Sequence, residues 1–96
     1  MSATRTPFPP LTRRRLRFVQ DTAAWVVRRF APGSDIGPDT PLFEGLIDSI
    51  RILELIAWTE QTLDRRIPDR MIRMDHFRTL RAVAETFIPE DDHVER

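Results

Sequence analysis

The residues of this chain best placed to do chemistry lie in one short run, Gly45-Leu46-Ile47-Asp48-Ser49-Ile50. Turn formers precede Asp48, and Ile50, Leu53, Leu55, Ile56 and Leu63 follow at largely helical spacing. That puts Ser49 at the start of a helix, where unpaired backbone N–H groups and the helix dipole favour an anion such as a phosphodiester. A hydroxyl there has two readings: an ordinary helix N-cap, or a point of attachment for a phosphate-linked group. Asp48 also has two, as a cap or as an aid to whichever enzyme modifies the serine. Ser49 has no histidine within a few residues, and the two histidines, His76 and His93, are too scattered to make a triad. Enzymatic activity is therefore not expected.

Other candidate groups give weaker signals. Neither His76 nor His93 has a second ligand at metal spacing, and Asp91-Asp92-His93 reads as a charged tail, so both imidazoles are expected in solvent and no metal site is expected. The chain has no cysteine, which excludes disulfides, thiolate metal sites and a thiol nucleophile. Arg13-Arg14-Arg15 with Arg17 could bind phosphate but reads more simply as a solvated helix face. It supplies a rival from another class, a small helical protein- or nucleic-acid-binding module without a prosthetic group.

The elements that must position these residues follow from the apolar pattern. Thr12 is a plausible N-cap for a first helix on which Leu16, Val19, Ala23, Val26, Val27 and Phe30 form one stripe, ended by Pro32-Gly33. Six breakers fall within residues 31–48, which gives a long loop. Ile36, Leu42, Phe43, Leu46 and Ile47 predict that this loop is packed down. A second helix is predicted from about Ser49 to Leu63, with Asp64 in the left-handed position that often follows. Ile67-Pro68-Asp69 punctuates the chain before a short helical segment leading to His76-Phe77. Thr79 caps a last helix bearing Leu80, Val83, Ala84 and Phe87, which stops before Pro89. No alternating strand pattern appears. Trp25 lies on a side shared with Phe18, and the two tryptophans are expected to pack between helices, with Phe8 or a second copy as other covers for Trp25.

With 96 residues, the chain is expected to form one domain with a modest core. Residues 1–10 read as a flexible arm, 11–88 as the folded unit and 89–96 as a charged tail. No apolar run reaches the roughly 18 residues that span a bilayer, and no secretory signal is evident, so a cytoplasmic location is expected. All 15 basic residues are arginine, balanced by 15 acids. The balance hides blocks: seven arginines against Asp21 in residues 1–30, and seven acids against Arg51 in residues 31–64. An acidic centre at zero net charge argues against nucleic acid as partner.

The ordered run Asp39-Thr40-Pro41-Leu42-Phe43, Gly45-Leu46-Ile47-Asp48-Ser49-Ile50, Leu53-Glu54-Leu55-Ile56, Ile67-Pro68-Asp69 and Phe77-Arg78-Thr79-Leu80 resembles the acyl and peptidyl carrier proteins over about residues 13–88. The resemblance implies an all-α, acyl-carrier-protein-like four-helix bundle of three main helices and one short one, with a long loop between the first two. It implies 4′-phosphopantetheine, donated by coenzyme A through a Mg²⁺-dependent transferase and esterified to Ser49, whose thiol carries an acyl or aminoacyl thioester. Asp48 would then assist the transferase, and Ile50, Leu53, Glu54 and Ile67 would form the partner-docking surface. The implied partners are the phosphopantetheinyl transferase, an acyl- or aminoacyl-activating (adenylating) enzyme and downstream thioester-processing enzymes; neither nucleic acid nor membrane is expected, and the chain is expected to be a monomer.

Several positions depart from that pattern. Arg51 stands where an acid is common, and Arg65, Arg66, Arg70 and Arg73 follow, which gives a possible docking patch of unusual sign. Thr59 stands where a core leucine is common, so Trp58 is expected to refill that volume. The loop before Gly45 is about one residue short and the segment before Phe77 about two residues long against fatty-acid carriers. These two length differences point away from primary fatty-acid synthesis and towards a stand-alone carrier of specialised (secondary) metabolism.

Overall fold

The structure, a computed structural model, describes residues 10–89. It is all-helical: α1 (Arg13–Phe30), α2 (Arg51–Leu63), a 3-10 turn (Asp69–Met71), α3 (Met74–Phe77) and α4 (Leu80–Phe87), with no strand among the described residues. Residues 1–9 of the expected arm (1–10), residues 90–96 of the expected charged tail (89–96), Phe8 as a cover for Trp25, and His93 lie outside the described residues. No described helix is long and apolar enough to cross a membrane.

Each boundary has a local cause. Thr79 Oγ1 accepts from the Ala82 N–H at 3.0 Å and so starts α4. Asp64 ends α2 in the left-handed conformation, φ 55° and ψ 50°. Thr12 occupies the N-cap position of α1, but its hydroxyl makes no capping bond and is buried without a partner among the described residues. The buried stripe of α1 is Phe18, Val19, Thr22 and Val26, rotated from the expected one so that Leu16 is exposed. It packs on α4, which buries Leu80, Val83, Ala84 and Phe87.

The α1–α2 side is closed by aromatics, as the sequence predicts. Trp25 and Trp58 stack at 4.9 Å between centroids, and Trp58 Nε1 donates to Thr22 Oγ1 at 2.8 Å. Thr59 is fully buried beside this pair, its hydroxyl donating to Leu55 O. His76 corrects an expectation of solvent: it is half-buried, Nδ1–H donates to Met71 O at 2.9 Å, and its ring meets Phe87 edge-on.

The long α1–α2 connection is pinned rather than loose. Ile36, Leu42 and Ile47 enter the core. The Leu42 N–H donates to Arg78 O and the Arg81 N–H to Pro38 O, which ties the loop to the start of α4. Arg81 also grips Asp39 with two bonds, Nε to Oδ1 at 2.7 Å and Nη2 to Oδ2 at 3.1 Å, while its own side chain is only 13% exposed. Replacing Arg81 by Leu should lower stability by about 1–3 kcal/mol, since it leaves Asp39 unpaired at the edge of the core. Asp39→Asn should cost less. A double-mutant cycle in urea should show a coupling of at least about 0.5 kcal/mol, and additive effects would mean that the pair is no strut.

Candidate functional site

The chain enters the site through a turn that needs glycine. Gly45 has φ 98°, a conformation L side chains rarely adopt, and it lets the Ile47 N–H return to Leu42 O at 2.8 Å. Ile47 is thereby driven into the core while Asp48, Ser49 and Ile50 emerge on the surface. Arg51 braces the same turn. Its Nη1 donates to Leu46 O at 3.0 Å, and its guanidinium lies 5.0 Å from the centroid of the Phe30 ring. The unusual arginine of the sequence is thus turned inward onto α1.

Asp48, not Ser49, caps α2. Its Oδ1 accepts from the Ile50 N–H at 3.0 Å and from the Arg51 N–H at 2.8 Å. The regular helix begins at Arg51, two residues after the expected start, because residues 48–50 form the capping turn. The next two amides are also engaged, Ile52 with Asp48 O and Leu53 with Ile50 O. The amides of residues 50–53 are therefore not free for an anion: a carboxylate has taken its place at two of them. The Arg51 N–H holds the Asp48 carboxyl below its ordinary value of 3.8, against a smaller desolvation effect and with a still smaller contribution from the Ile50 N–H. The Ser49 side chain, in contrast, is exposed and makes no hydrogen bond among the described residues.

Beside Ser49 opens a groove of about 420 Å³ between the start of α2 and residues 72–77. Phe43, Ile47, Ile52, Ile72, Met74 and Phe77 make its walls apolar; Asp48 is its one acid and Arg73 its one base. No histidine lines it, and His76 is committed to Met71 O. The described residues contain no cluster of His, Cys, Asp or Glu able to hold a metal ion. A free hydroxyl with no histidine beside it, on the lining of an apolar groove, can accept a group from another protein, and the groove can shelter an apolar chain attached to it. Phosphopantetheine fits that description, because attachment at Ser49 breaks no bond of the fold.

The other expected site residues are not all together. Ile50 and Leu53 are 70% and 64% exposed, flanking Ser49 on the outer face of α2. Glu54 is on the same helix, but its carboxylate takes a 2.7 Å bond from Arg29 of α1. Ile67 is only 5% exposed: it belongs to the core, held there as its N–H donates to Glu60 Oε2, and offers no surface for docking. Sequence reasoning missed Ile72 and Met74, 40% and 66% exposed on the far wall of the groove. Their apolar character next to exposed arginines was the available signal. Of the arginines read as one patch, Arg65 donates to Phe87 O, Arg66 approaches Glu60, and only Arg73 lines the groove.

A family model described as a phosphopantetheine attachment site matches residues 18–87, well over half of the chain. No curated protein and no solved structure is significantly similar to it.

The division of labour between residues 48 and 49 has a measurable signature. Asp48→Ala should lower the melting temperature, Asp48→Asn should lower it less because the amide oxygen still caps, and Ser49→Ala should leave it unchanged. With a folded-state pKa below 3.8, the Asp48 contribution is complete above that value and lost as pH falls through the folded-state value. Thermal melts from pH 6 down to about pH 2 should therefore show a smaller acid-induced loss in Asp48→Asn than in the parent.

Proposed function

Since the chain belongs to the phosphopantetheine attachment-site family and is a carrier of covalently bound 4′-phosphopantetheine, we propose that Ser49 is the residue that bears the group. The observation that carries this reading is the unbonded, exposed Ser49 side chain beside a turn whose capping is done entirely by Asp48. In this reading a transferase brings coenzyme A to the turn, the Ser49 oxygen forms the new phosphoester as its proton leaves, and the nucleotide half of the coenzyme departs. The bound group supplies a terminal thiol on which an acyl or aminoacyl unit travels as a thioester.

The chain's own residues then present and identify the cargo. Asp48 and Arg51 fix the turn so that Ser49 is offered in one orientation at little entropic cost. Ile50 and Leu53 give partners a small apolar contact, with Ile72 and Met74 across the groove. Such a surface suits weak, successive encounters, and tethering supplies the effective concentration that tight binding would otherwise provide. The carrier unit is residues 11–88, itself non-catalytic, and the loading, processing and transferase enzymes are separate proteins of the cytoplasm. The sheltered Arg51 and the basic Arg70 and Arg73 favour a stand-alone carrier of secondary metabolism over one serving fatty-acid synthesis.

Intact mass after incubation with coenzyme A, Mg²⁺ and a broad-specificity transferase should rise by one phosphopantetheinyl unit in the parent and not in Ser49→Ala. A gain in both would show that another residue is modified. Ile50→Ala with Leu53→Ala should change folding stability by no more than about 0.5 kcal/mol per site. The pair should lower kcat/KM for transfer to Ser49 roughly tenfold, the loss of a modest apolar contact.

A further inference from the structure

A phosphodiester on Ser49 would meet an unusual environment. Helix starts ordinarily offer amides to an anion, yet here the amides of residues 50–53 are all engaged, two of them by the Asp48 carboxylate. The new negative charge would also sit beside that existing one. Arg51, the nearest base in sequence, is turned away onto Leu46 O and the Phe30 ring. Arg29 is held by Glu54.

One base remains on the groove. Arg73 lines it together with Ser49 and Asp48, between Ile72 and Met74 in sequence. Its one ion pair among the described residues is with Asp75, at 3.8 Å, between side chains that are 61% and 70% exposed. A contact so long and so wet holds a guanidinium only weakly, in contrast to the two-bond grip of Asp39 on Arg81. Arg73 can exchange Asp75 for a phosphate at little cost, and a guanidinium's planar fork matches phosphate oxygens well.

We propose that Arg73 binds the phosphodiester of the group carried on Ser49 and thereby lays the pantetheine chain along the apolar groove against Ile72 and Met74. This inference rests on Ser49 as the attachment point. Arg73 is a binding residue for the carried group, not for the transferase. It biases where the arm lies: an arm anchored at its phosphate follows the groove, whereas an unanchored arm samples solvent.

The test uses the loaded protein, with loading of Ser49 first established by mass. In the parent at low salt, NOEs should connect the arm's methyl groups to the side chains of Ile72 and Met74, and the ³¹P resonance should move as salt is raised. Arg73→Gln should weaken those NOEs about two- to fivefold, the range set by an exposed ion pair, and should leave the ³¹P resonance nearly insensitive to salt. Arg73→Lys should restore part of the effect, and Asp75→Asn should strengthen it by removing the competing carboxylate. About 1 M salt, where the screening length is about 3 Å, should make the parent resemble Arg73→Gln. Amide spectra of the four loaded proteins report that each is folded. A loaded parent whose NOEs and ³¹P shift match those of Arg73→Gln would overturn this inference alone, and a parent whose Ser49 takes no arm would overturn the proposed function and this inference with it.

Discussion

The site depends on the fastening of residues 31–50 to the start of α4. About twenty residues without regular structure lose on the order of 1 kcal/mol or more each in backbone entropy when fixed. Three inserted side chains, Ile36, Leu42 and Ile47, together with the Arg81–Asp39 grip and the backbone bonds to Arg78 O and Pro38 O, hold this segment in place. Because Leu42 is fixed, the Ile47 N–H has a fixed acceptor; because Ile47 is buried, Asp48 and Ser49 emerge at one place and in one direction. The position of an exposed hydroxyl is thus decided by an ion pair on the other side of the loop.

The arginines are the second organising theme. Arg15, near the start of the chain, donates to Ile88 O and Glu85 O, and Arg65 donates to Phe87 O. Two side chains from separate basic stretches thereby close the carbonyl end of α4, where cations also complement the helix dipole. Arg51 serves a similar internal purpose under the α2 turn. Each of the two basic blocks that look like binding patches in the linear sequence thus spends one arginine, Arg15 or Arg65, on fastening carbonyls, an office for which a fork of several donors is better suited than a lysine ammonium.

What could be read beforehand was what depends on neighbours in sequence. Thr79 and Ala82, Asp64 at the end of α2, and the breakers and apolar anchors of the loop are local signals, and each was legible. So was the four-helix architecture, since apolar spacing reports the buried faces. Less legible were features fixed by distant partners. Trp58 could be assigned to an interhelical contact, but not its bond to Thr22 or its stack on Trp25, which join residues far apart in the chain. The start of α2 slipped by two residues because Asp48 and Ser49 are both good caps, and only the fold decides which side chain turns back over the amides. Ile67 was placed on the surface by resemblance alone, whereas its apolar character by itself pointed inward, as found.

Leaving Ser49 out of the capping turn separates the fate of the hydroxyl from the fate of the fold. In genetic terms, with Ser49 as the proposed attachment point and Ile50 and Leu53 as the proposed docking contacts, a missense change at codon 49 would escape protein quality control, because the product would fold, persist and still display Ile50 and Leu53 on its surface. Its phenotype would then be that of a competitor and not of an absence: an empty vehicle occupying docks meant for loaded ones. Such an allele would act in the presence of a normal copy, with a severity set by the ratio of the two and not by the stability of either.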